Sequence, residues 1–438
     1  MRKQTEEPVQ NTINDHRPER RLPMSVASYL KKRSVQGPWT IAENPGGFFN
    51  AAIVIPSLAE FSDLPDTLQA LSQSSADHLT RTMILIVVNH RIDAANSERD
   101  NNIATLTALP EWKQKYGLEN LNWVDAASKN NELPIKQGVG LARKIGMDLA
   151  LGWLDFGGRD PILISLDADT LTNANYLEAI YRHFNSAIAG GATIPYRHRQ
   201  AENPSGQLAI ERYELFLRAY VLGMETAGST YAFHTVGSAM ACRASAYVAA
   251  GGMNKRMAGE DFYFLQQIHK TAEVSPLNGT VVYPSPRSSH RVPFGTGRAV
   301  GDMLSKSKEL LFYQPCLFEI LRQWLECIDA HNGSDGDSLA RRAGSISPHL
   351  ESYLRQAGFA PVWDKLLRNS PDGRRLMTSF NAWFDAFRTM RLIRYLTDNA
   401  YPRLPAEQAV PPLLKNAGYV GYSSLSELID CLRKLQGV

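Results

Sequence analysis

Short apolar runs that alternate with helix-spaced segments constrain this chain more than any other feature. Residues 51–56 (AAIVIP), 83–88 (MILIVV) and 161–166 (PILISL) are apolar, rich in β-branched residues and too short for core helices. Each predicts a buried strand, and residues 121–124 predict a weaker one. Between them, residues 59–73 place Leu64, Leu68 and Leu71 at helical spacing. Residues 138–154 put Leu141, Ile145 and Leu149 on one face, and 176–188 carry a stripe from Leu177 to Ile188. Unbroken apolar strands with helices between them predict an α/β fold, a mostly parallel sheet covered on both sides.

Beyond residue 190 the pattern loosens. A strand is expected at 193–196, a helix at 206–224, strand or loop at 235–242, a helix at 262–268 and a strand at 279–283. From about residue 305 the chain reads helical, with a clean stripe of Leu317, Ile320, Leu321, Trp324, Leu325 and Ile328. A second long helix is expected at 377–397. Residues 331–347, rich in Gly, Ser, Asp and Arg, predict a loop. Residues 1–45 read as a loosely ordered arm with one short helix near 26–32, its basic run at 31–33 open to anionic lipid or a partner, with a solvated surface the blander reading. The expected organisation is that arm, an α/β unit at 46–304 with halves meeting near 190, and a mostly helical region at 305–438.

Composition narrows the function classes. The chain has 438 residues, 44% hydrophobic, enough for a large core. A net charge of +3 is too mild to argue for nucleic acid but suits phosphate-bearing substrates. Cys242, Cys316, Cys327 and Cys431 form no CxxC pair or zinc spacing, and read as reduced thiols. No run approaches the ~18 apolar residues of a membrane helix, and the polar N-terminus is not a secretory signal. The expectation is a cytoplasmic protein, at most peripheral to the inner membrane face, with no transmembrane segment.

Four constellations carry chemistry. Asp167 and Asp169 sit one residue apart directly after PILISL. Ligands gather at the carboxyl ends of strands in open α/β sheets. Two carboxylates there can face one Mn²⁺ or Mg²⁺ that keeps positions open for phosphates. A turn using Asp for local hydrogen bonds is the bland alternative. Glu260 and Asp261, between Gly259 and Phe262, suit a helix N-cap and also a general base that deprotonates a hydroxyl. Both roles can hold together. Residues 138–146 (GVGLARKIG) do not follow the first strand of a βαβ unit, so they are no dinucleotide fingerprint. Gly138 and Gly140 permit close backbone approach, and Arg143 or Lys136 can reach phosphate or ribose; helix packing is an equal reading. Finally, residues 286–298 hold Arg287, His290, Arg291 and Arg298 among glycines. The arginines suit closure over a diphosphate, and His290 is a candidate third metal ligand.

Together and in this order, these pieces resemble family 2 glycosyltransferases, over about residues 50–300. AAIVIPSLAEFSDLPDTLQAL resembles the family's opening strand, loop and helix, with Pro56 and Glu60 flanking the loop that meets the nucleotide. ILIVVNH resembles the second strand, Asn89 standing where an acidic residue near the nucleobase is common. LPIKQGVGLARKIGMDLAL resembles the helix before the metal strand. ISLDADT matches the metal-binding D-x-D, and GGMNKRMAGEDFYF the acceptor segment, with Asp261 in the place of the inverting enzymes' base. The resemblance implies a GT-A fold, Rossmann-like, with a nucleotide half at 46–190 and an acceptor half at 191–304. It implies a nucleotide-diphosphate sugar donor, a hydroxyl acceptor and single displacement with inversion. After Asp261 the chain reads Leu265-Gln266-Gln267-Ile268-His269 and lacks the Q-x-x-R-W of processive synthases, which implies transfer of a single sugar. Some enzymes of this fold retain configuration and act on small acids such as glycerate or phosphoglycerate; His290 keeps that reading open.

A sugar-1-phosphate nucleotidyltransferase would carry a Gly-rich basic loop after strand one, where this chain has SLAEFSD. A non-catalytic sugar-nucleotide-binding scaffold is opposed by the intact Asp167, Asp169 and Asp261. The C-terminal helices are open to shaping the acceptor pocket, forming a homodimer or binding another protein.

Overall fold

A computed structural model describes residues 22–287, 296–306, 309–370 and 372–438. The chain runs α1 (Met24–Lys32), β1 (Ala51–Ser57), α2 (Leu64–Ser72), α3 (Ala76–Thr80), β2 (Thr82–Asn89), α4 (Asn96–Lys115), β3 (Leu121–Ala126), α5 (Val139–Leu151) and β4 (Ile162–Ser165). It continues through β5 (Leu171–Thr172), α6 (Tyr176–Ser186), β6 (Gly191–Thr193), α7 (Pro204–Thr226), β7 (Met240–Arg243), α8 (Ala244–Ala249), α9 (Glu260–Ala272), β8 (Val274–Pro276) and β9 (Val282–Tyr283). Helices follow: α10 (Thr296–Lys306), α11 (Pro315–Asp329), α12 (Gly336–Ile346), α13 (Pro348–Gln356), α14 (Phe359–Asn369), α15 (Gly373–Trp383), α16 (Ala386–Asn399), α17 (Ala406–Asn416) and α18 (Leu425–Leu435).

The central sheet has the order β3-β2-β1-β4-β7-β6-β8. Strands β1 to β4 are mutually parallel, and β7 runs antiparallel to both β4 and β6. Strand residues alternate between two cores, which is why the strands read as continuous apolar runs. Ile53, Ile55, Ile84 and Ile86 pack with Leu64, Leu68, Trp112 and Ile180 of α2, α4 and α6. Val54, Leu85 and Val87 pack with Leu141, Ile145, Tyr247 and Phe264 of α5, α8 and α9. The α/β class and the helical C-terminal region are thus as the alternation predicts. No helix among the described residues is long and apolar enough to cross a membrane.

Several local expectations are corrected. Residues 331–347, expected as a loop, contain α12. Asp335 caps it by accepting from the Ser338 N–H at 2.8 Å, and Leu339, Ala340 and Ala343 are buried. Gly336 lets it press against the backbone of Ala360, so a small residue there serves helix packing. The helix expected over 377–397 is two, α15 and α16, because Asp385 starts a new one and accepts from the Arg388 N–H at 3.0 Å. Residues 59–63 lie outside the helix expected at 59–73. Ala59 adopts φ 54° and donates its N–H to Asn102 Oδ1 at 2.9 Å. The strand expected at 193–196 ends at Thr193 as β6, and that expected at 279–283 is only β9.

Residues 22–45, expected within a loose arm, are docked on the α5 face. Val26 and Tyr29 of α1 are buried. Asp148 accepts from Tyr29 and Tyr247 hydroxyls at 2.8 and 2.7 Å and from the Val35 N–H at 2.7 Å, and pairs with Lys144 at 3.0 Å. The C-terminal helices bury their apolar faces in a third core, around Trp324, Trp363 and Phe380, which also takes Leu215, Ala219 and Leu222 of α7. Deleting the Asp148 carboxylate leaves the buried Lys144 ammonium with the Tyr29 hydroxyl, at 2.7 Å, but no counter-charge, and takes the acceptor from the Tyr247 hydroxyl. Asp148→Ala is expected to cost about 3–5 kcal/mol in urea unfolding and to open residues 33–45 to protease; Asp148→Asn should cost less.

Candidate functional site

The strand order reverses between β1 and β4, and ligands of open α/β sheets collect at such a point. The carboxyl end of β1 leads to Glu60 and Asp63, and that of β4 to Asp167 and Asp169. Two arginines organise these acids. Arg143, 2% exposed on α5, donates Nε to Ser165 Oγ at 2.9 Å and bonds both Asp167 and Glu260. Ser165 Oγ in turn donates to the Gly237 carbonyl at 2.7 Å. Burial works against the Arg143 charge, but Asp167, Glu260 and Asp261 outweigh it and raise its pKa. Arg287 reaches from the segment after β9 to bond Glu60, Asp63 Oδ2 at 2.9 Å and Asp169 Oδ2 at 3.0 Å.

Acid outnumbers base here. Glu60, Asp63, Asp167, Asp169, Glu260 and Asp261 face Arg143, Arg287 and Arg199, whose Nη2 donates to the Asp169 carbonyl at 3.1 Å. Burial pushes Asp169 up to about 7; Arg287 opposes this, while Glu60, Asp167 and Asp63 add to it. Burial, then Glu260, push Asp261 up to about 7 as well, against Arg143 and the Phe262 N–H, which donates to Asp261 Oδ1 at 2.7 Å. Glu260 is buried at the first position of α9 and tied to Arg143; Asp261, next to it, retains partial exposure.

Of the other expected residues, Pro56 is buried within β1, paired with Val87 of β2. The Asn89 amide donates to the Ser57 and Val87 carbonyls at 3.2 and 2.9 Å, so its NH₂ is spent on the backbone. Lys136 is exposed in the loop before α5. Gly140 brings that helix against the Asn254 and Arg256 carbonyls, 2.7 and 2.5 Å from where a Cβ would stand. Arg298, on α10, pairs with Asp302 at 3.3 Å. His290 and Arg291 lie outside the described residues.

Sequence reasoning missed four participants. Asp63 and Arg199 belong to no motif. Burial, and then the Asp261 charge, push Tyr213 of α7 up to about 12. Asn102 ties the loop after β1 to the end of β2 through Ala59 and the Asn89 carbonyl at 2.9 Å. An Asn on the exposed-looking start of a helix carries no signal by itself.

No family model and no curated protein matches the chain. Among solved structures it is similar to TarS 1–349 of S. aureus, at 11% identity over 88% of this chain and 90% of that one, with a TM-score of 0.36. The same protein in complex with UDP-GlcNAc gives 11% identity, the same coverage and 0.37. Mannosyltransferase PcManGT from Pyrobaculum calidifontis, in complex with GDP-Man and Mn²⁺, gives 13% identity over 85% and 90%, with 0.37.

The raised Asp261 has a stability consequence. Folded Asp261 keeps its proton up to about pH 7, whereas an unfolded aspartate loses it near 4. Wild type therefore loses stability relative to Asp261→Asn as pH rises from about 4 to about 7, and the gap is constant above. A widening of order 2 kcal/mol, discounted for partial exposure, is expected in denaturant midpoints at the two ends of that window.

Proposed function

We propose that this protein is a metal-dependent glycosyltransferase of the GT-A, family 2 kind, moving one sugar from a nucleoside-diphosphate sugar to an acceptor hydroxyl. The observation that carries it is the opposition of two acidic centres across one buried arginine: Asp167 and Asp169 at the end of β4, and Asp261 at the start of α9, with Arg143 between. One centre suits a leaving diphosphate, the other an incoming hydroxyl.

The residues fit a hard divalent cation. Asp167 and Asp169 supply carboxylate oxygens, and the surrounding acid surplus that raises Asp169 is relieved by positive charge. Among the described residues no cluster of three ligands forms, so an ion held by Asp167 and Asp169 would take its remaining ligands from water and phosphate. Bound Mn²⁺ or Mg²⁺ would neutralise charge developing on the diphosphate.

Arg287, held by Glu60, Asp63 and Asp169, is placed to turn its guanidinium to the diphosphate once those carboxylates gain another counter-ion. Arg199 lies on the same side. Asp261 is the general base. Its neighbour Glu260 is engaged by Arg143 and holds the start of α9 in place, whereas Asp261 is the more exposed of the two and is raised close to neutral pH, where a base balances availability against strength. Attack from the Asp261 side, opposite the diphosphate, gives inversion.

UDP-GlcNAc and GDP-Man, the donors in the solved structures above, are the first to try. Purified protein with Mn²⁺ is expected to release nucleoside diphosphate from its donor, and Asp169→Ala to abolish this. With acceptor, Asp261→Asn should lower kcat by roughly 10²–10⁴-fold. The wild-type rate should climb with pH and level off above about 7, as Asp261 must lose its proton to act. A wild-type rate in Asp261→Asn would remove it from this role.

A further inference from the structure

Some surface arginines of this protein pair with acids. Arg81, Arg91, Arg182, Arg322 and Arg355 all do. Among the described residues others do not, Arg159, Arg341 and Arg374 for example, and neither do two that lie on the rings joining α9 to α16. Arg256, exposed in the loop that leads into α9, lies 3.8 Å above the Tyr263 ring. Tyr263 meets Phe387 of α16 at 5.7 Å between ring centres, and exposed Arg391 caps Phe387 at 5.9 Å. Neither Arg256 nor Arg391 has a carboxylate within ion-pairing distance among the described residues.

The ladder is anchored at both ends. The Arg256 carbonyl accepts from the Gly140 N–H at 3.3 Å, and Asn254 Nδ2 donates to the Glu260 carbonyl at 2.8 Å, so Arg256 is carried by the loop that sets Asp261. On the far side, Lys270 of α9 pairs with Asp385 at 2.5 Å, and Gln266 accepts from the Phe387 N–H at 2.8 Å. The C-terminal helices are thereby fixed onto the helix that bears the base.

We infer that this ladder is an acceptor-binding subsite for a glycan carrying negative charge, as carboxylate or phosphate groups; the inference rests on the transferase reading above. A guanidinium stacked flat on a ring keeps its in-plane N–H donors free and pre-oriented for an anion. The cleft itself is rich in carboxylates and repels an anionic chain, so affinity for one must come from cations outside it. Arg256 and Arg391 supply them at the two ends of the ring contacts that join α9 to α16.

The test is binding of the full chain, without donor, followed by fluorescence anisotropy. Probes are labelled oligogalacturonate for carboxylate, a phosphorylated mannan oligosaccharide for phosphate, and neutral maltooligosaccharide. Wild type is expected to bind one anionic probe at least about tenfold tighter than the neutral one, and Arg256→Gln/Arg391→Gln to lose roughly 10–100-fold. Arg256→Lys, which keeps charge but not the planar stack, should recover only part. Arg322→Gln/Arg375→Gln removes the same charge elsewhere and should leave binding unchanged. Equal affinity for neutral and anionic probes, an unchanged double variant, or equal loss in the control variant would overturn the subsite. So would equally tight binding of single-stranded DNA or of phosphatidylglycerol vesicles. Anionic binding with no turnover of any donor would instead sink the transferase reading and leave the surface standing.

Discussion

The candidate site depends on one buried cation. Arg143 leaves α5 among apolar neighbours and finds three partners: Ser165 on β4, Asp167 just beyond it and Glu260 at the head of α9. A guanidinium taken out of water is costly unless its donors are all engaged, and a planar fork with several donors can engage groups from three elements at once. Gly237 has no side chain because the guanidinium occupies that space, and Ser165 is itself fixed to the Gly237 carbonyl. The parallel half of the sheet and the half bearing Asp261 are thereby held in one geometry. Lysine, with one compact point charge, could not hold both carboxylates and the hydroxyl in this way.

A second buried ion network joins the C-terminal helices to the same frame. Glu214 of α7, fully buried, accepts from Arg218 at 3.0 Å, Arg433 of α18 at 2.8 Å, and His198 at 2.9 Å. Burial alone would raise this carboxyl, but those partners hold it well below its ordinary range. Its chain neighbour Tyr213 senses Asp261. Helices α11 to α18 also share an apolar core with α7. The C-terminal region is therefore built into the wall beside the candidate base.

Much of this was legible before any coordinates. Strands β1, β2 and β4 announced themselves because burial on both faces leaves continuous apolar runs. Asp167 and Asp169 stood out because they follow such a strand directly, and Glu260 and Asp261 because a glycine precedes them and an apolar helix follows. What was not legible is pairing across long stretches of chain. Spacing does not separate phosphate contact from packing for Arg143, because nothing local says that its partners lie 24 and 117 residues away. The loop composition around Arg287 suits phosphate, but its hold on Glu60 and Asp63, more than 200 residues upstream, has no sequence signature. Helix α12 was hidden by composition: glycine and serine signal a loop unless a neighbouring helix needs close approach, as Ala360 does at Gly336. Tyr213, Asn102 and Arg199 are single residues whose meaning is given by what folds against them.

Diffraction at a wavelength where manganese scatters anomalously, from crystals grown with Mn²⁺ and a nucleoside diphosphate, tests the central claim most directly. One anomalous peak is expected within about 2.2 Å of an Asp169 carboxylate oxygen, with the diphosphate on its open side and the Arg287 guanidinium turned from Asp169 toward phosphate. Nucleotide bound away from the carboxyl ends of β1 and β4, or Asp169 still paired with Arg287 and no ion beside it, would contradict it.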